Sequence, residues 1–226
     1  MKFRAVLFDA AETLFTTRGS VGEIYGSVAR KYGSNVSPEA IQAAFREHFR
    51  GAGPLSPEEQ KQWWKNIVYA VFNDVGMIEN FDRFFDEVYE TFRDSQGWML
   101  FPETLDVLHE LKNRQLKLGI ISNFDSRIYT VLESLHIRSF FDAVVLSSET
   151  GYSKPDRKIF EAAIQAIGLP PSEILFVGDS PKDDVEAGIQ AGLTSVLIDR
   201  MGRHADQKNL QRISSLTEVL KLAVHG

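Results

Sequence analysis

Several polar side chains of this sequence end short apolar runs or lie in the loop that follows one, and their chemical types suit phosphoryl transfer. They are the carboxylate of Asp9, the hydroxyls of Thr13 and Ser122, the amide of Asn123, the ammonium of Lys154 and the acids Asp179, Asp183 and Asp184. A carboxylate can attack phosphorus and form an aspartyl-phosphate, and a lysine can neutralise the charge of the transferring group. Neighbouring carboxylates can hold Mg²⁺, which prefers oxygen ligands. The sequence therefore predicts a phosphoryl-transfer site where the fold brings these groups together.

Each of these residues also has an ordinary structural interpretation. Asp9 could cap a turn after its strand, and Ser122 and Asn123 are common residue types at turns and helix starts. Lys154 could be a solvated surface charge. The acids at 179–184 give the strongest signal, because three carboxylates within six residues are unfavourable unless a cation gathers them. A helix N-terminus also favours aspartate, but the pattern favours a metal site.

The elements that must position these side chains are buried strands. From Trp98 onward, short runs rich in Val, Ile and Leu alternate with helical segments, which is typical of a parallel sheet covered by helices. The predicted strands are residues 5–8, 116–121, 143–146, 174–177 and 194–198, and the predicted helices are residues 102–114, 126–135, 155–167 and 182–191. The predicted fold class is α/β with a doubly wound parallel sheet, in which the carboxyl ends of neighbouring strands converge on one crevice.

Between the first strand and this alternating region, residues 19–94 show helical periodicity and almost no strand signal. Ser37-Pro38 and Ser56-Pro57 provide an N-cap followed by proline at the first helical position. The predicted helices of this segment are residues 23–32, 38–50, 56–74 and 80–93. We predict a core domain of residues 1–16 and 97–226 and an inserted helical cap domain of residues 17–96. Trp63-Trp64 and the cluster Phe81, Phe84 and Phe85 are interpreted as the interior of this insert, with one of them as a possible pocket residue.

The composition of the 226 residues is that of an ordinary globular protein, with 43% hydrophobic and 25% charged residues. A net charge of −6 argues against a broad nucleic-acid surface, which is normally basic. The absence of cysteine excludes disulfides, thiolate nucleophiles and zinc sites built from cysteine. Asp9 ends the first apolar run after four residues, too soon for a signal peptide, and no segment reaches the roughly 20 residues of a membrane span. We expect a cytoplasmic protein without nucleic-acid or membrane partners.

Taken in order, these motifs resemble the haloacid dehalogenase (HAD)-like hydrolase superfamily, in the branch with a helical cap inserted after the first strand. The resemblance covers essentially the whole chain. It is most specific in Ser148-Glu149-Thr150-Gly151-Tyr152-Ser153-Lys154-Pro155-Asp156 and in Val177-Gly178-Asp179-Ser180. Gln62-Trp63-Trp64 and Ile121-Ser122-Asn123-Phe124-Asp125 are similar to one narrower group within that branch. The resemblance implies a Mg²⁺-dependent, phosphatase-type hydrolase of a small phosphorylated metabolite, with a cap that closes over the site.

The resemblance also implies a role for each candidate residue. Asp9 would be the nucleophile, and Lys154 would hold the phosphate against it. The substrate-binding residues would be Thr13, Ser122, Asn123 and Lys154, and the Mg²⁺ ligands would be Asp9, the backbone carbonyl of Ala11, Asp179 and Asp184. Any residue type can provide the carbonyl at position 11.

Position 11 nevertheless departs from the pattern of the family. Its phosphatases carry a second aspartate two positions after the nucleophile, which protonates the leaving alkoxide and then activates water, but this chain has Ala11 there. General acid–base catalysis is typically worth roughly 10²–10⁴-fold, so we expect slow phosphomonoester turnover unless another group substitutes. Glu12 is the nearest acid. Because neighbouring residues of an extended segment point in opposite directions, we expect Glu12 not to reach the site.

Three alternatives follow from Ala11. Phosphonate-cleaving members have alanine at this position but need a cap lysine for an imine, and Lys31, Lys61 and Lys65 match no motif of that kind. Dehalogenases of the family have a bulky aromatic residue there and no metal, which the acids at 179–184 argue against. The last alternative is a catalytically impaired protein that binds a phosphorylated ligand or partner on the same fold.

Overall fold

The central feature of the computed structural model is a sheet of short apolar strands. The structure describes residues 3–49, 55 and 57–223. In chain order, the strands are β1 (Ala5–Phe8), β2 (Phe15–Thr17), β3 (Trp98–Leu100), β4 (Lys117–Ser122), β5 (Ala143–Leu146), β6 (Ile174–Gly178), β7 (Thr194–Ile198) and β8 (Arg212–Ile213). The helices are α1 (Val21–Lys31), α2 (Pro38–His48), α3 (Pro57–Val75), α4 (Phe81–Thr91), α5 (Thr104–Asn113), α6 (Ile128–Ser134), α7 (Ser147–Thr150), α8 (Arg157–Ile167), α9 (Ala187–Gln190) and α10 (Val219–Leu222). A π-helical turn spans Pro181–Glu186.

Six of the strands form one parallel sheet in the order β5–β4–β1–β6–β7–β8. β1 lies in its interior and pairs with β4 on one side and β6 on the other, so that Phe8 stands opposite both Ile120 and Val177. All four residues of β1 and all five of β6 are buried, as expected for parallel strands that are covered on both faces. The residues that follow β1, β4 and β6 therefore emerge at one edge of the sheet.

Helices cover both faces of the sheet. Because successive strand residues point to opposite faces, Val6 and Phe8 of β1 belong to one hydrophobic cluster and Ala5 and Leu7 to another. The first cluster includes apolar residues of α5 and α6 and continues into the inserted helices, whereas the second includes residues of α8 and α9. The predicted doubly wound α/β fold is confirmed.

The helices α1–α4 lie between β2 and β3, which pair antiparallel with Thr17 opposite Trp98. The chain thus leaves the sheet along one short strand and returns along its neighbour. Ser20 and Glu23 form a capping box at the start of α1, and the Ser37 side chain caps α2 before Pro38. The division into a core domain of residues 1–16 and 97–226 and a cap domain of residues 17–96 stays a prediction.

Most predicted elements agree with the structure to within a few residues, and the strands at 143–146 and 194–198 agree at both ends. The predicted helices 38–50 and 56–74 extend onto residues 50 and 56, which lie outside the described residues. The sequence missed β2, β3 and β8, because strands of two or three residues are too short to show a period. The helix predicted at 182–191 is present, and its first part, Pro181–Glu186, is π-helical and leads directly into α9. Within the described part of the chain, no helix is long and apolar enough to cross a membrane.

Candidate active site

Asp9, Ser122 and Asp179 lie at the same edge of the sheet because they end or follow three neighbouring strands. Asp9 follows β1, Ser122 is the last residue of β4, and Asp179 follows β6. The backbone N–H of Asp9 donates to the carbonyl of Val177 at 2.8 Å. This bond continues the ladder between β1 and β6 up to the residue at which the chain turns, so the nucleophile candidate is held by a rigid element.

The ammonium of Lys154 joins two carboxylates at this edge. Its Nζ lies 2.5 Å from Asp9 Oδ1 and 2.6 Å from Asp184 Oδ1. All three side chains are at most 10% exposed. A buried charge is costly unless it is paired, and here one cation is shared by two anions. The interpretation of Lys154 as a solvated surface charge is therefore wrong.

Asp9, Asp179 and Asp184 form a group of three carboxylates. Each offers an oxygen, and these oxygens lie within 4.8 Å of one another. Asp184 comes from the π-helical turn, where its Oδ2 accepts a hydrogen bond from the backbone N–H of Ser180 at 2.9 Å. Converging carboxylate oxygens suit Mg²⁺, which commonly uses one or two carboxylates with waters and a phosphate oxygen. The fold thus brings together the three carboxylates that were predicted as Mg²⁺ ligands, and their binding of the ion stays a prediction.

The electrostatics of the group disfavour three simultaneous negative charges. Burial raises the pKa of Asp179 to about 8, and the charges of Asp9 and Asp184 add to the rise. Burial also raises the pKa of Asp9 to about 6, although the Lys154 ammonium opposes that rise. Burial acts to lower the pKa of Lys154, but the carboxylates of Asp184 and Asp9 outweigh it and raise that pKa. A divalent cation in this group would favour the ionised carboxylates.

Asn123 holds the loop that carries Lys154. Its Nδ2 donates to the Lys154 carbonyl at 3.0 Å, and its Oδ1 accepts from the Lys154 backbone N–H at 2.8 Å. Ser122 Oγ accepts a hydrogen bond from the backbone N–H of Phe124 at 3.1 Å. Both side chains thus fix the loops at the strand ends, and their contacts to a phosphate stay predictions.

Ala11 and Thr13 lie in the turn after β1. Thr13 is fully buried, and its Oγ1 finds no hydrogen-bond partner among the residues that the structure describes. Buried hydroxyls without a partner are uncommon. The phosphate contact of Thr13 and the carbonyl ligand from Ala11 stay predictions.

Glu12 adopts a left-handed backbone conformation, with φ of 61°. The segment is not extended there, so the alternation rule does not apply; that Glu12 does not reach the site stays a prediction. Glu12 lines the same cavity as Asp9 and Ala11. Burial and the charges of Asp9 and Asp184 are the main causes of the raised pKa of Asp179, and the charge of Glu12 adds to that rise. Its Oε1 accepts a hydrogen bond from Thr16 Oγ1 at 2.7 Å.

A cavity of about 680 Å³ adjoins the strand ends. Asp9, Ala11, Ser122 and Asn123 line it together with aromatic side chains of the inserted helices, among them Phe45, Phe49, Trp63, Trp64, Phe85 and Tyr89. Phe84 is buried in the interior of the insert, as the sequence predicted. Trp63, Trp64 and Phe85 line the cavity, so this set of aromatics contributes three pocket residues where the sequence allowed for one.

The three lysines of the insert, Lys31, Lys61 and Lys65, are not among the described residues that line the cavity. They pair with acids of α4, at 2.5 Å for Lys31 and Glu87, 2.7 Å for Lys61 and Asp86, and 2.8 Å for Lys65 and Asp82. An imine-forming amine would have to face the cavity, so the placement does not support the phosphonate-cleaving alternative.

A buried ion pair that sequence reasoning missed joins the loop after β4 to the inserted helices. Arg127 Nη2 lies 2.5 Å from Asp125 Oδ2, and both side chains are less than 10% exposed. Asp125 Oδ2 also accepts a hydrogen bond from Trp64 Nε1 at 2.8 Å. The Arg127 guanidinium lies 4.0 Å from the centroid of the Tyr89 ring. Asp125 and Arg127 lie three and five residues beyond the end of β4, so a rule that selects polar residues at the end of a buried strand does not reach them.

These features define a class of protein: a doubly wound α/β fold with a buried lysine among three carboxylates at the carboxyl ends of its strands. A family model described as haloacid dehalogenase-like hydrolase matches residues 3–192. The chain belongs to this family and is a hydrolase, as the resemblance in its motifs implied.

Relatives named haloacid dehalogenase-like hydrolase domain-containing protein 3 match most of the chain. The human protein is 30% identical over 207 residues, which cover 88% of this chain and 82% of that protein. The Xenopus laevis protein is 31% identical over 208 residues, with coverage of 88% and 85%. The narrower resemblance in Gln62-Trp63-Trp64 and in residues 121–125 agrees with these matches. A protein of Methanothermobacter thermautotrophicus named glyceraldehyde 3-phosphate phosphatase is 28% identical, with coverage of 96% of this chain and 99% of that protein.

Solved structures of the family share the fold. A HAD phosphatase from Thermococcus onnurineus superposes with a TM-score of 0.68 at 25% identity, covering 98% of each chain. The HAD-hydrolase YfnB of Bacillus subtilis superposes with a TM-score of 0.77 at 19% identity, covering 99% of each chain. The L-2-haloacid dehalogenase of Xanthobacter autotrophicus has a TM-score of 0.74 at 17% identity, covering 99% of each chain. The latter two similarities concern the fold alone.

Proposed function

We propose that this hydrolase cleaves small phosphate monoesters in the presence of Mg²⁺, by way of an aspartyl-phosphate on Asp9. The observation that carries the proposal is the convergence of charged groups: Lys154 Nζ lies 2.5 Å from Asp9, and oxygens of Asp9, Asp179 and Asp184 lie within 4.8 Å of one another. The names of the Thermococcus and Methanothermobacter relatives, a HAD phosphatase and a glyceraldehyde 3-phosphate phosphatase, support phosphate esters as substrates.

Mg²⁺ bound by Asp9, Asp179, Asp184 and the carbonyl of Ala11 would neutralise phosphate charge and keep the carboxylates ionised. The residues of the chain do the rest. The Asp9 carboxylate attacks phosphorus, and the bond between phosphorus and the ester oxygen breaks with its electron pair on that oxygen. Lys154 stabilises the transferring group by its positive charge. Water then attacks the phosphorus of the aspartyl-phosphate, which releases inorganic phosphate and restores Asp9.

Ser122 and Thr13 would donate hydroxyl hydrogen bonds to the phosphate oxygens, and Asn123 would keep Lys154 in place through its two bonds to the Lys154 backbone. The methyl group of Ala11 can neither protonate the leaving oxygen nor activate water. Formation of the aspartyl-phosphate is therefore slow when the leaving oxygen is strongly basic, and its hydrolysis by water is slow for every substrate.

A second candidate function follows from the same methyl group at Ala11: a protein that binds a phosphorylated ligand or partner with little turnover. The two functions share the phosphate site and differ only in whether the ester bond is broken.

Phosphate release from a panel of phosphorylated metabolites, with Mg²⁺ or with a chelator, separates the two functions. We expect release with Mg²⁺, loss of release with the chelator, and loss in Asp9→Asn. Asp183→Asn is the matched control, because Asp183 belongs to the same acidic stretch but lies outside the group of three carboxylates, and it should retain activity. Equal background release from the wild-type and Asp9→Asn proteins, with retained binding of phosphate esters, would support the binding protein instead.

A further inference from the structure

The cavity that contains Asp9 also contains an aromatic wall contributed by the inserted helices. If Asp9 receives a phosphoryl group, the organic group esterified to that phosphate has to occupy the same cavity of about 680 Å³. This volume lies within the range of small-molecule sites, roughly 300–1,000 Å³. The chemistry of the wall therefore bears on the class of alcohol that the enzyme releases.

Three rings of the wall present nearly parallel faces. The Phe49 and Trp64 rings lie 5.6 Å apart at an interplanar angle of 14°, and Phe45 and Trp64 lie 6.3 Å apart at 21°. Trp63 meets Trp64 edge to face at 4.9 Å. Phe49 is 39% exposed, which leaves part of its ring uncovered by protein. The rings stack on one another, and the uncovered part of Phe49 can offset-stack with a further planar apolar group.

Two polar side chains beside the rings, Asp125 and Gln60, are already engaged. Asp125 pairs with Arg127 and accepts from the Trp64 indole N–H. The amide of Gln60 donates to the Leu55 carbonyl and accepts from the backbone N–H of Ser126. Hydroxyl groups of a sugar or polyol held against the ring faces would lose their hydrogen bonds to water without gaining partners from Asp125 or Gln60, which disfavours that placement. Gln42 and Arg46 are the polar residues of α2 that also line the cavity.

Ala11 gives an independent reason for the same class of substrate. An alkyl alcohol is about as weak an acid as water, whose pKa is about 15.7, and its alkoxide leaves slowly unless an acid protonates it. A phenol has a pKa of about 10, as in the tyrosine side chain, and its anion leaves without a proton donor. The missing acid at position 11 is least harmful when the leaving group is a phenol.

From the aromatic wall and Ala11 together we infer that the substrates are aryl phosphate monoesters, in which a flat apolar ring carries the phosphate oxygen. This inference rests on the proposed phosphatase function. Attack by the Asp9 carboxylate forms the bond to phosphorus, and the electron pair of the broken bond stays on the aryl oxygen. The phenolate takes its proton from water after it leaves, and a second water hydrolyses the aspartyl-phosphate.

A kinetic comparison of four substrates with Mg²⁺ tests the inference: 2-naphthyl phosphate, phenyl phosphate, 2-naphthylmethyl phosphate and glyceraldehyde 3-phosphate. We expect kcat/KM to be highest for 2-naphthyl phosphate. The ratio of kcat/KM for 2-naphthyl phosphate to kcat/KM for phenyl phosphate measures the contribution of the apolar wall, because both substrates release a phenol. The ratio of kcat/KM for 2-naphthyl phosphate to kcat/KM for 2-naphthylmethyl phosphate measures the effect of the leaving group, because both substrates carry the same ring. A kcat/KM for glyceraldehyde 3-phosphate equal to or above that of 2-naphthyl phosphate would overturn the inference.

Phe49→Ala and Tyr69→Ala form a matched pair of variants. Both residues are partly exposed aromatics of the insert, but Tyr69 lies outside the cavity lining. Loss of one stacking face should raise KM for 2-naphthyl phosphate by about 3- to 10-fold in Phe49→Ala, with little change for glyceraldehyde 3-phosphate. Tyr69→Ala should change neither. An equal effect of Phe49→Ala on both substrates would contradict the assigned wall.

Calorimetric binding of non-hydrolysable ligands separates failure of this inference from failure of the proposed function. Absence of phosphate release from every substrate would contradict the phosphatase. In that case, tighter binding of 2-naphthylmethylphosphonate than of 3,4-dihydroxybutylphosphonate, the phosphonate analogue of glycerol 3-phosphate, would still support the ligand class. The reverse order of affinity would overturn it, whether or not the protein turns over phosphate esters.

Discussion

Ala11 lines the cavity two residues after the proposed nucleophile, Asp9. The residue is only partly buried. A carboxyl at this position could protonate a leaving alkoxide and later activate water. Because such catalysis is worth roughly 10²–10⁴-fold, Ala11→Asp should raise kcat/KM for glyceraldehyde 3-phosphate by at least about tenfold. The gain for 2-naphthyl phosphate should be smaller, since a phenolate leaves without a proton.

Ala11→Asn controls for the size and polarity of the new side chain without adding an acid. It should leave kcat/KM for both substrates near the wild-type values. Equal gains from Asp and Asn, or no gain from Asp, would show that the missing proton donor does not limit the reaction.

Lys154 is the only cation in direct contact with Asp9 and Asp184 among the described residues. Removal of one partner from a buried ion pair leaves the other charge uncompensated and typically costs about 3–5 kcal/mol. Lys154→Met should lower the free energy of unfolding by about this amount in the presence of a chelator, as measured by urea denaturation. Lys182→Met, at an exposed position of the π-helical turn, should have little effect. A Lys154→Met protein as stable as the wild type would contradict the role of Lys154 as counter-ion.

At the scale of elements, the π-helical turn after β6 positions Asp184 against the strand end. A Cβ atom at Gly178, the last residue of β6, would lie 2.4 Å from Asp184 Cγ, which is too close for any side chain. Gly178→Ala must therefore displace the Asp184 carboxylate. We expect its affinity for Mg²⁺, measured by calorimetry, to fall at least about tenfold, because one of the three oxygen donors moves away.

Gly188 in α9 provides the matched control. A Cβ atom there would lie 2.3 Å from Ser195 Oγ and 3.1 Å from Phe176 Cδ1, so Gly188→Ala disturbs the packing of the helix on the sheet. It should lower the melting temperature without changing Mg²⁺ affinity in the folded protein. A similar loss of affinity in both variants would mean that general destabilisation, and not the position of Asp184, is responsible.

The elements that could be predicted from the sequence are long enough to show a regular spacing, or a continuous run, of apolar residues. The strands that precede Asp9 and Asp179 are continuous apolar runs, and the rule that parallel strands end at one crevice brought both acids to one site. The two-to-three-residue strands β2 and β3, the π-helical turn and the left-handed Glu12 have no such pattern. Their conformations depend on contacts with residues distant in sequence, which a local sequence pattern does not specify. The same holds for the hydrogen bonds by which the Asn123 amide holds Lys154.

At the scale of the whole molecule, the inserted helices and the sheet meet through buried polar groups beside the site. The Trp64 indole bonds to Asp125, and the Arg127 guanidinium donates to the Tyr89 carbonyl at 3.2 Å and stacks on its ring. The loop after β4 therefore contacts both the phosphate end of the cavity, through Ser122, and its aromatic wall. A substrate bound in the cavity would touch both parts of the chain at once, which couples recognition of the organic group to the position of the phosphate.

The stability of the whole molecule should depend on pH and Mg²⁺ together, because Asp179 and Asp9 have raised pKa values in the folded protein, about 8 and about 6. Unfolded aspartates ionise near their ordinary pKa of about 3.9. Between about pH 4 and pH 8 the metal-free folded state thus binds more protons than the unfolded state, so its free energy of unfolding falls as the pH rises. Mg²⁺ binds the ionised carboxylates, so the melting-temperature gain from millimolar Mg²⁺ should be larger at pH 8 than at pH 5.5. Asp179→Asn should weaken the dependence of stability on pH and the dependence of the Mg²⁺ effect on pH, whereas Asp183→Asn should leave both unchanged. A wild-type protein whose melting-temperature gain from Mg²⁺ is the same at both pH values would contradict a metal site that contains Asp9 and Asp179.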